Sequence, residues 1–551
     1  MEKATSAPAA LVSGDLPFYC LETGIYSSKY PKVAFPEDEH VDVVSFVFSH
    51  HHEGTTALVD AASGSSIHYK DLFPLVNSLA YGLQNMGVGQ GDAVLIVLHN
   101  SILYPVVFMS VLYLGAIAVP INPLNSLEEI GKDVLQLLPK LAFTGVECKE
   151  KMASFSFPAV CVPEALNVET EKFRSFYDLL RGEGIATPFR RPKVAQDDTA
   201  TILFSSGTTG RRKAVMLSHK SWISSVALMV RSEAALYDSP CSSSVHLAVI
   251  PMFHIYGLSY FALGVLSLGS CVVTMKKFNP DDVVYAIDKY AVTHFSVVPP
   301  LLKALMRSAR TPLMSLKQVC CGAAPLPPPV IKQFTETFPH IDFIQGYGMT
   351  ESPGLAARGF NTANIKKFTS VGLITANGQA KVVDMASGLF QPPGCAGEIC
   401  LRGNGLMKGY LNDEKATRET IDEDGWLHTG DIGYFDEDGY LFIVDRIKDT
   451  IKYKGFQVVP AELEEILTGH PEIVDAAVVG IADEESGELP AAFVARKPGS
   501  MLSEGEIVDY VARKVAPHKK VRKVFFIDHI PRTTTGKILK EELRNSLRSR
   551  L

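Results

Sequence analysis

Short β-branched runs alternate with helical segments over several hundred residues, and this alternation restricts the chain to few architectures. Ala93 to Leu98 reads as a strand, Ser101 to Leu114 as a helix, and Ala116 to Val119 as a second strand stopped by Pro120. Further strands are expected at Thr201 to Phe204, Val245 to Ile250, Cys271 to Met275, His294 to Val298 and Phe343 to Gln345. Unbroken apolar strands suit sheets covered on both faces, and strand–helix repetition builds parallel sheets. The pattern predicts an α/β fold. After about Met385 the texture shifts to turns rich in Gly, Pro and Asp, as in Gln391-Pro392-Pro393-Gly394 and Asp436-Glu437-Asp438-Gly439, so a smaller β-rich layer is expected there. From Pro460 a compact αβ unit follows: a helix near Ala461 to Leu467, a strand at Val474 to Val479 and a charged helix from Ser503 to Val515.

Bulk properties exclude several function classes. The 551 residues carry a formal net charge of -7, which argues against a dedicated nucleic-acid binder or a polybasic membrane-surface protein. Nine cysteines, an odd number with no C-x-x-C pair, point to a reducing compartment. Two stretches without charged residues, Ser101 to Ser126 and Val245 to Met275, are long enough for membrane spans. Pro105, Pro120 and Pro123 interrupt the first, and Pro251, Gly257, Gly264 and Gly269 the second, so buried helix-then-strand units are expected instead.

The strongest local signal is the apolar run Thr201 to Phe204 leading into Ser205-Ser206-Gly207-Thr208-Thr209-Gly210-Arg211-Arg212-Lys213. Small hydroxyl and glycine residues after a strand let backbone N–H groups approach phosphate oxygens, and Lys213 adds charge. A nucleotide phosphate cradle is expected. It is not a Walker A loop, because Gly207 and Gly210 are too close and Ala214 follows the lysine.

Six further motifs follow in order: Gln345-Gly346-Tyr347-Gly348-Met349-Thr350-Glu351, Gly397 to Gly403, Gly425-Trp426-Leu427-His428-Thr429-Gly430-Asp431, Asp445-Arg446-Ile447-Lys448, Lys452 to Gln457, and Pro531 to Lys537. With the phosphate loop and its continuation Val215 to His219, they make the chain resemble the adenylate-forming superfamily over nearly its whole length, within it the plant 4-coumarate:CoA ligase and luciferase-like group. Arg211-Arg212 and Ala214 depart from the usual Leu-Pro and Gly of the first signature.

The resemblance implies a large N-terminal body, residues 1–447, of two α/β subdomains with parallel sheets plus the β-rich layer, and a small mobile α+β lid, residues 448–551, hinged at Lys448. It implies an ATP-dependent acid:CoA ligase that uses Mg²⁺ and coenzyme A and works through an acyl-adenylate. Asp431 would hold the ribose hydroxyls with Arg446, Thr350 the α-phosphate and Tyr347 the adenine, beside Gln345 and Gly346. Glu351 offers a hard oxygen for Mg²⁺. Lys537 would neutralise charge growing at the α-phosphorus during adenylate formation. Lys452 and Gln457 would serve the thioester step, with Lys454, Gly455 and Phe456 at coenzyme A, after the lid rotates. His254, which without context reads as a core histidine, would line and gate the acyl pocket.

Positions matching the acid pocket are Ile255, Tyr256, Ser259, Ser296, Cys320, Gly322, Ala323, Gly346, Gly348, Gly354, Leu355 and Ala356. Ser296, Cys320 and Gly354-Leu355-Ala356 stand where Met, Lys and Pro-Val-Leu are common in coumarate ligases. The expected substrate is therefore longer or more apolar than coumarate: an extended aryl-alkenoic acid such as a piperic-type acid, cinnamate, or a cyclopentanone or medium-chain fatty acid.

Other readings carry less. A luciferase-like oxidase shares the adenylation parts. A carrier-loading module would expect a following carrier, yet 14 residues follow Lys537. A nonenzymatic nucleotide binder is disfavoured by Lys537, Lys452 and Glu351 together. His50-His51-His52-Glu53 has no companion ligand cluster at zinc-like spacing and reads as a solvated loop. Cys320-Cys321 reads as a pair of small buried hydrophobes. The start has an early acidic residue and no signal-peptide core, so no export is expected. Ser549-Arg550-Leu551 is a conservative variant of the S-K-L address, giving an expected peroxisomal location through its import receptor, with the cytoplasm as alternative and a monomer as the expected state.

Overall fold

A computed structural model describes residues 17–548 apart from 167, 169, 182–189, 206–211, 232–233, 235–240, 310–311, 362–364, 455, 484–485 and 534–535. The first sheet has seven strands. Within it Ala93–Val97, every residue of it buried, runs parallel to Ile117–Pro120 on one side and Leu141–Thr144 on the other. The helix Tyr104–Tyr113 between the first two is buried along its whole length, with Pro105 in the first turn, where a missing N–H leaves no bond unmade. The first uncharged stretch is thus a helix-then-strand unit. Thr199–Ser205 joins the same sheet, and the chain returns antiparallel as Lys213–Ser218, which puts Lys213 directly opposite Ser205.

The second sheet has nine strands, with Val245–Ala248, Cys271–Thr274, His294–Val297, Gln318–Cys321 and Asp342–Met349 running parallel. The last is longer than the expected Phe343 to Gln345. Its extension pairs antiparallel with Ser352–Arg358, and the register shifts around Gly348, as at a β-bulge. The second uncharged stretch folds into the strand Val245–Ala248, the helical turns Ile255–Ser259 and Tyr260–Gly264, and the strand Cys271–Thr274. Among the described residues no helix is long and apolar enough to cross a membrane.

The β-rich layer is a six-stranded antiparallel sheet. It begins earlier than Met385, at Gln379–Val383, and takes in two N-terminal strands, Tyr19–Cys20 and Ile25–Ser27. The ring of Tyr26 stacks on Phe435 at 4.3 Å and seals the N-terminal segment to the layer. One apolar cluster extends from Phe18 to Leu441 and joins all three sheets, so they share a core. From Ile451 onward the chain builds a five-stranded sheet around the hairpin of Ile473–Asp483 and Gly487–Arg496, with apolar clusters drawn only from residues 451–547. Its helices are Pro460–Thr468, Glu504–Ala512 and Lys540–Arg548; Ser503 starts the second through a reciprocal capping box with Glu506.

Candidate active site

The antiparallel strands Leu427–Phe435 and Leu441–Arg446 place Asp431 directly across from Arg446. Arg446 Nε lies 3.1 Å from Asp431 Oδ1, and Tyr347 Oη donates to Asp431 Oδ2 at 2.7 Å. Both oxygens of the buried carboxylate are thereby fixed by residues from two sheets. Burial and the Asp431 charge push the Tyr347 hydroxyl well above its ordinary range, so it stays a donor. A carboxylate held this rigidly keeps lone pairs in fixed directions for vicinal hydroxyls.

Lys537 faces the same cluster. Its loop is closed by Thr533 N donating to Lys537 O at 2.8 Å and Lys537 N to Thr533 Oγ1 at 3.1 Å. Gly536, at φ +83°, lies so close to the body that an added Cβ would stand 2.6 Å from Pro300 Cδ. The loop can approach only because the residue is glycine. Arg532 braces it, donating through Nη2 to both carboxylate oxygens of Asp475 at 3.0 Å. Burial, then the charges of Arg446 and Lys448, pull the Lys537 amine down to about 8. Burial and Lys537 together lower His254 to about 4, so its imidazole is neutral near pH 7. His254 Nδ1 accepts from Tyr256 N at 3.4 Å, capping the helical turn Ile255–Ser259.

Lys448 sits in the single helical turn Ile447–Asp449 that links Arg446 to the C-terminal sheet, and burial depresses its amine. The preceding Asp445 is buried and accepts from Ala461 N at 3.1 Å, tying the turn to the helix Pro460–Thr468. Lys540 Nζ, 3.3 Å from the half-buried Glu464, packs beside this pair. Glu464 and Lys540 escape sequence reading because each looks like an ordinary helix charge.

Glu351 is buried, with one carboxylate oxygen fixed by Tyr410 Oη at 3.0 Å. An immobilised hard oxygen fits Mg²⁺. Lys213 Nζ stands 4.5 Å from the ring centre of that same Tyr410, so strand pairing carries the cation of the phosphate loop to the acidic residue. Ser205 ends its strand beside Lys213, and Thr350 is half-buried next to Glu351. Ser206, Gly207, Thr208, Thr209 and Gly210 lie outside the described residues. Gln345 is buried, its side-chain amide donating to Phe368 O at 2.8 Å.

The expected acid-pocket residues largely converge. Tyr256 Oη donates to Cys320 Sγ at 3.4 Å; Ser259 Oγ bonds back to Tyr256 O at 3.3 Å. Ser296 pairs with Cys320 across adjacent strands and also bonds to the Tyr256 hydroxyl. A Cβ on Gly322 would stand 3.2 Å from Gly346 O and 3.4 Å from the Tyr256 ring, so this glycine permits their close approach. Ile255 and Ala356 are buried, whereas Ala323 is exposed at φ +69°. Gly348 lies at the bulge, and Gly354 and Leu355 fall on the strand Ser352–Arg358, with their side-chain positions outside the described set.

Residues assigned to the thioester step lie elsewhere. Lys452 is exposed, and its backbone N–H donates to Glu488 Oε2 at 2.8 Å. Lys454 is exposed at φ +48°. Gly455 and the side chains of Phe456 and Gln457 are outside the described residues, as are Ser549 to Leu551. His50 and His51 are exposed, and His52 packs its ring on Tyr69 at 4.3 Å. Cys320 and Cys321 are both buried thiols outside any disulfide. Among the described residues, Glu398, Cys400 and His428 bring their donor atoms within 4.8 Å of one another. Contacts of His428 with Cys400 and with Glu398 raise the imidazole to about 11, so it holds a proton that a metal ion would have to displace. The Glu398 carboxylate also accepts from Gly430 N at 3.1 Å, which makes this group a brace for the loop before Asp431.

Residues 47–411 match the AMP-binding enzyme family, and residues 462–537 match the AMP-binding enzyme C-terminal domain. The chain is 50% identical over 545 residues to 4-coumarate–CoA ligase-like 6 of Arabidopsis thaliana, covering 97% of this chain and 96% of the relative. It is 40% identical over 532 residues to peroxisomal OPC-8:0-CoA ligase 1 of the same plant, covering 95% and 96%. Among solved structures, O-succinylbenzoate coenzyme A synthetase from Bacillus subtilis with ATP and magnesium superimposes with a TM-score of 0.76 at 27% identity, covering 89% of this chain and 97% of that one. The chain belongs to the AMP-binding enzyme family, in its 4-coumarate–CoA ligase-like group, and is an AMP-forming acid–CoA ligase.

Proposed function

We propose that this ligase activates an extended aryl-alkenoic acid of the piperic type. The observation that carries the reading is the acid pocket itself: the small residues Ser296, Cys320 and Gly322 surround Tyr256, with no charged side chain among them to meet a phenolate. The relative that acts on OPC-8:0 favours a second reading, a cyclopentanone fatty acid.

In the first half-reaction the substrate carboxylate attacks the α-phosphorus of ATP and pyrophosphate leaves. Asp431 and Arg446 orient the ribose, Tyr347 borders the adenine, and Thr350 with the phosphate loop receives the phosphates. Glu351 would hold Mg²⁺, which supplies positive charge to the phosphate oxygens. Lys537 meets the negative charge that develops between the two reactants, and such preorganised charge is the main source of rate. In the second half-reaction the coenzyme A thiolate attacks the acyl carbonyl and AMP leaves. Lys537 belongs to the first step and Lys452 to the second, so residues 448–551 rotate as a lid about Lys448. His254, neutral beside Lys537, moves with the acyl pocket between the steps. Ser549-Arg550-Leu551 directs the enzyme to the peroxisome, a reading supported by one peroxisomal relative.

A panel of acids assayed for CoA-dependent AMP release tests the substrate. Piperic-type acids should exceed coumarate in kcat/KM; coumarate ahead of every longer acid contradicts the reading.

A further inference from the structure

A buried carboxylate that neither half-reaction uses meets the end of the phosphate-loop motif. Asp133 lies on the helix Leu127–Val134, which Ser126 starts through a capping box with Glu129 and whose buried Ile130 shares an apolar cluster with Ile202 and Ala214 of the first sheet. Asp133 is 2% exposed, and Arg212 Nη1 donates to its Oδ2 at 2.8 Å. The guanidinium also lies 5.2 Å from the centre of the Phe204 ring, so Arg212 is held between this helix and the strand Thr199–Ser205. Burial pushes the Asp133 carboxyl up to about 6 and the Arg212 charge draws it back, so both partners are charged in mildly alkaline solution.

A carboxylate taken out of water is unfavourable unless a cation answers it, and pulling that cation away leaves a buried charge uncompensated. Arg212 is therefore drawn to the helix. The next residue, Lys213, has Ser205 as its register partner, and its Nζ stands 4.5 Å from the ring centre of Tyr410, which bonds to Glu351 at 3.0 Å. With the first of two consecutive side chains clamped, the backbone carrying the second cannot shift without breaking a buried ion pair. We infer that Asp133 and Arg212 are positioning residues: their ion pair clamps the end of the phosphate loop and sets where the Lys213 cation meets the two ATP phosphates that leave as pyrophosphate. Arg212 stays on Asp133 and touches no phosphate. The inference rests on the phosphate-loop reading of residues 205–213 and adds to it the part that holds the loop's cation in place.

The test is calorimetric titration of the full chain with ATP and Mg²⁺, and separately with AMP, in Asp133→Asn, Arg212→Gln and the double variant. Each single variant should raise the Kd for ATP by about tenfold, the scale of one weakened charge-assisted contact. The Kd for AMP, which lacks the two outer phosphates, should stay within about twofold. The double variant should be no worse than either single one, because the two side chains act as a unit. Affinity, unlike stoichiometry, does not depend on the folded fraction, and Asn keeps the shape of Asp133 if the arginine variant folds poorly. A lower Tm with the Kd for ATP unmoved, or an equal rise for ATP and AMP, makes the pair merely structural and overturns the clamp. So does a Kd for ATP that rises in Arg212→Gln alone, which makes Arg212 a direct phosphate contact. Lys213→Ala isolates the underlying reading: if it also leaves the Kd for ATP unmoved, the phosphate-loop assignment falls and the clamp with it.

Discussion

Arg446 and Asp431 face each other across one strand pair with Nε 3.1 Å from Oδ1, and Tyr347 holds the other carboxylate oxygen at 2.7 Å. The three residues form a closed unit, so removing the charge at its centre releases the other two. Asp431→Asn should raise KM for ATP by about tenfold, and Asp431→Ala by about a hundredfold, as expected when a charged hydrogen-bonding group is lost. KM for the acid should move much less. Steady-state kinetics with each substrate varied in turn checks both values.

The depressed Lys537 amine gives the first half-reaction an alkaline limit. With an amine at about 8 instead of the ordinary 10.5, the folded chain binds this proton less tightly than the unfolded one, so stability rises with pH between those values. Activity runs the opposite way, because the cation is the useful form. The kcat/KM for adenylate formation should fall above about pH 8, reporting the free enzyme. Lys537→Arg should move that fall to higher pH, since a guanidinium keeps its proton. A pH–rate profile of pyrophosphate release reads both limbs.

Gly536 offers a test of the contact between lid and body. At φ +83° with Pro300 Cδ 2.6 Å from an added Cβ, Gly536→Val combines backbone strain with a steric clash. It should lower adenylate formation by about tenfold or more while sparing thioester formation from a supplied acyl-adenylate, because a 1 Å displacement of a positioned group is enough for such losses. Two separate half-reaction assays show whether the damage divides this way.

The His428 brace predicts a pH-dependent stability term. Its imidazole is raised from 6.5 to about 11, so the contribution is fully present below about pH 6.5 and is lost progressively as pH rises toward 11. Glu398→Gln should therefore lower the Tm by about 1–2 °C near pH 6, where a half-exposed ion pair is modest, and the gap should narrow at pH 9 and above. Thermal melts of both proteins across that range check the sign.

What sequence made legible is chemistry carried by contiguous residues. Gln345 to Glu351, Gly425 to Asp431 and Pro531 to Lys537 are local strings whose side chains project from one strand or loop. The row of His246, His294 and Gln318 was not legible because the three come from separate strands, and each stands in an otherwise apolar run that reads as core. Only strand register puts them in one row. The N-terminal strands around Tyr26 escaped for a similar reason: two or three residues are too short for periodicity, and their partner strand begins at Gln379.

The division of labour between Lys537 and Lys452 is the centre of this account, and single-turnover analysis of Lys537→Ala tests it most directly. Adenylate formation from acid and ATP should fall by about a hundredfold or more, the scale of losing one preorganised charge. Thioester formation from supplied acyl-adenylate and coenzyme A should stay within about threefold of wild type, since that step uses no group lost with the lysine. Equal loss in both half-reactions would contradict it.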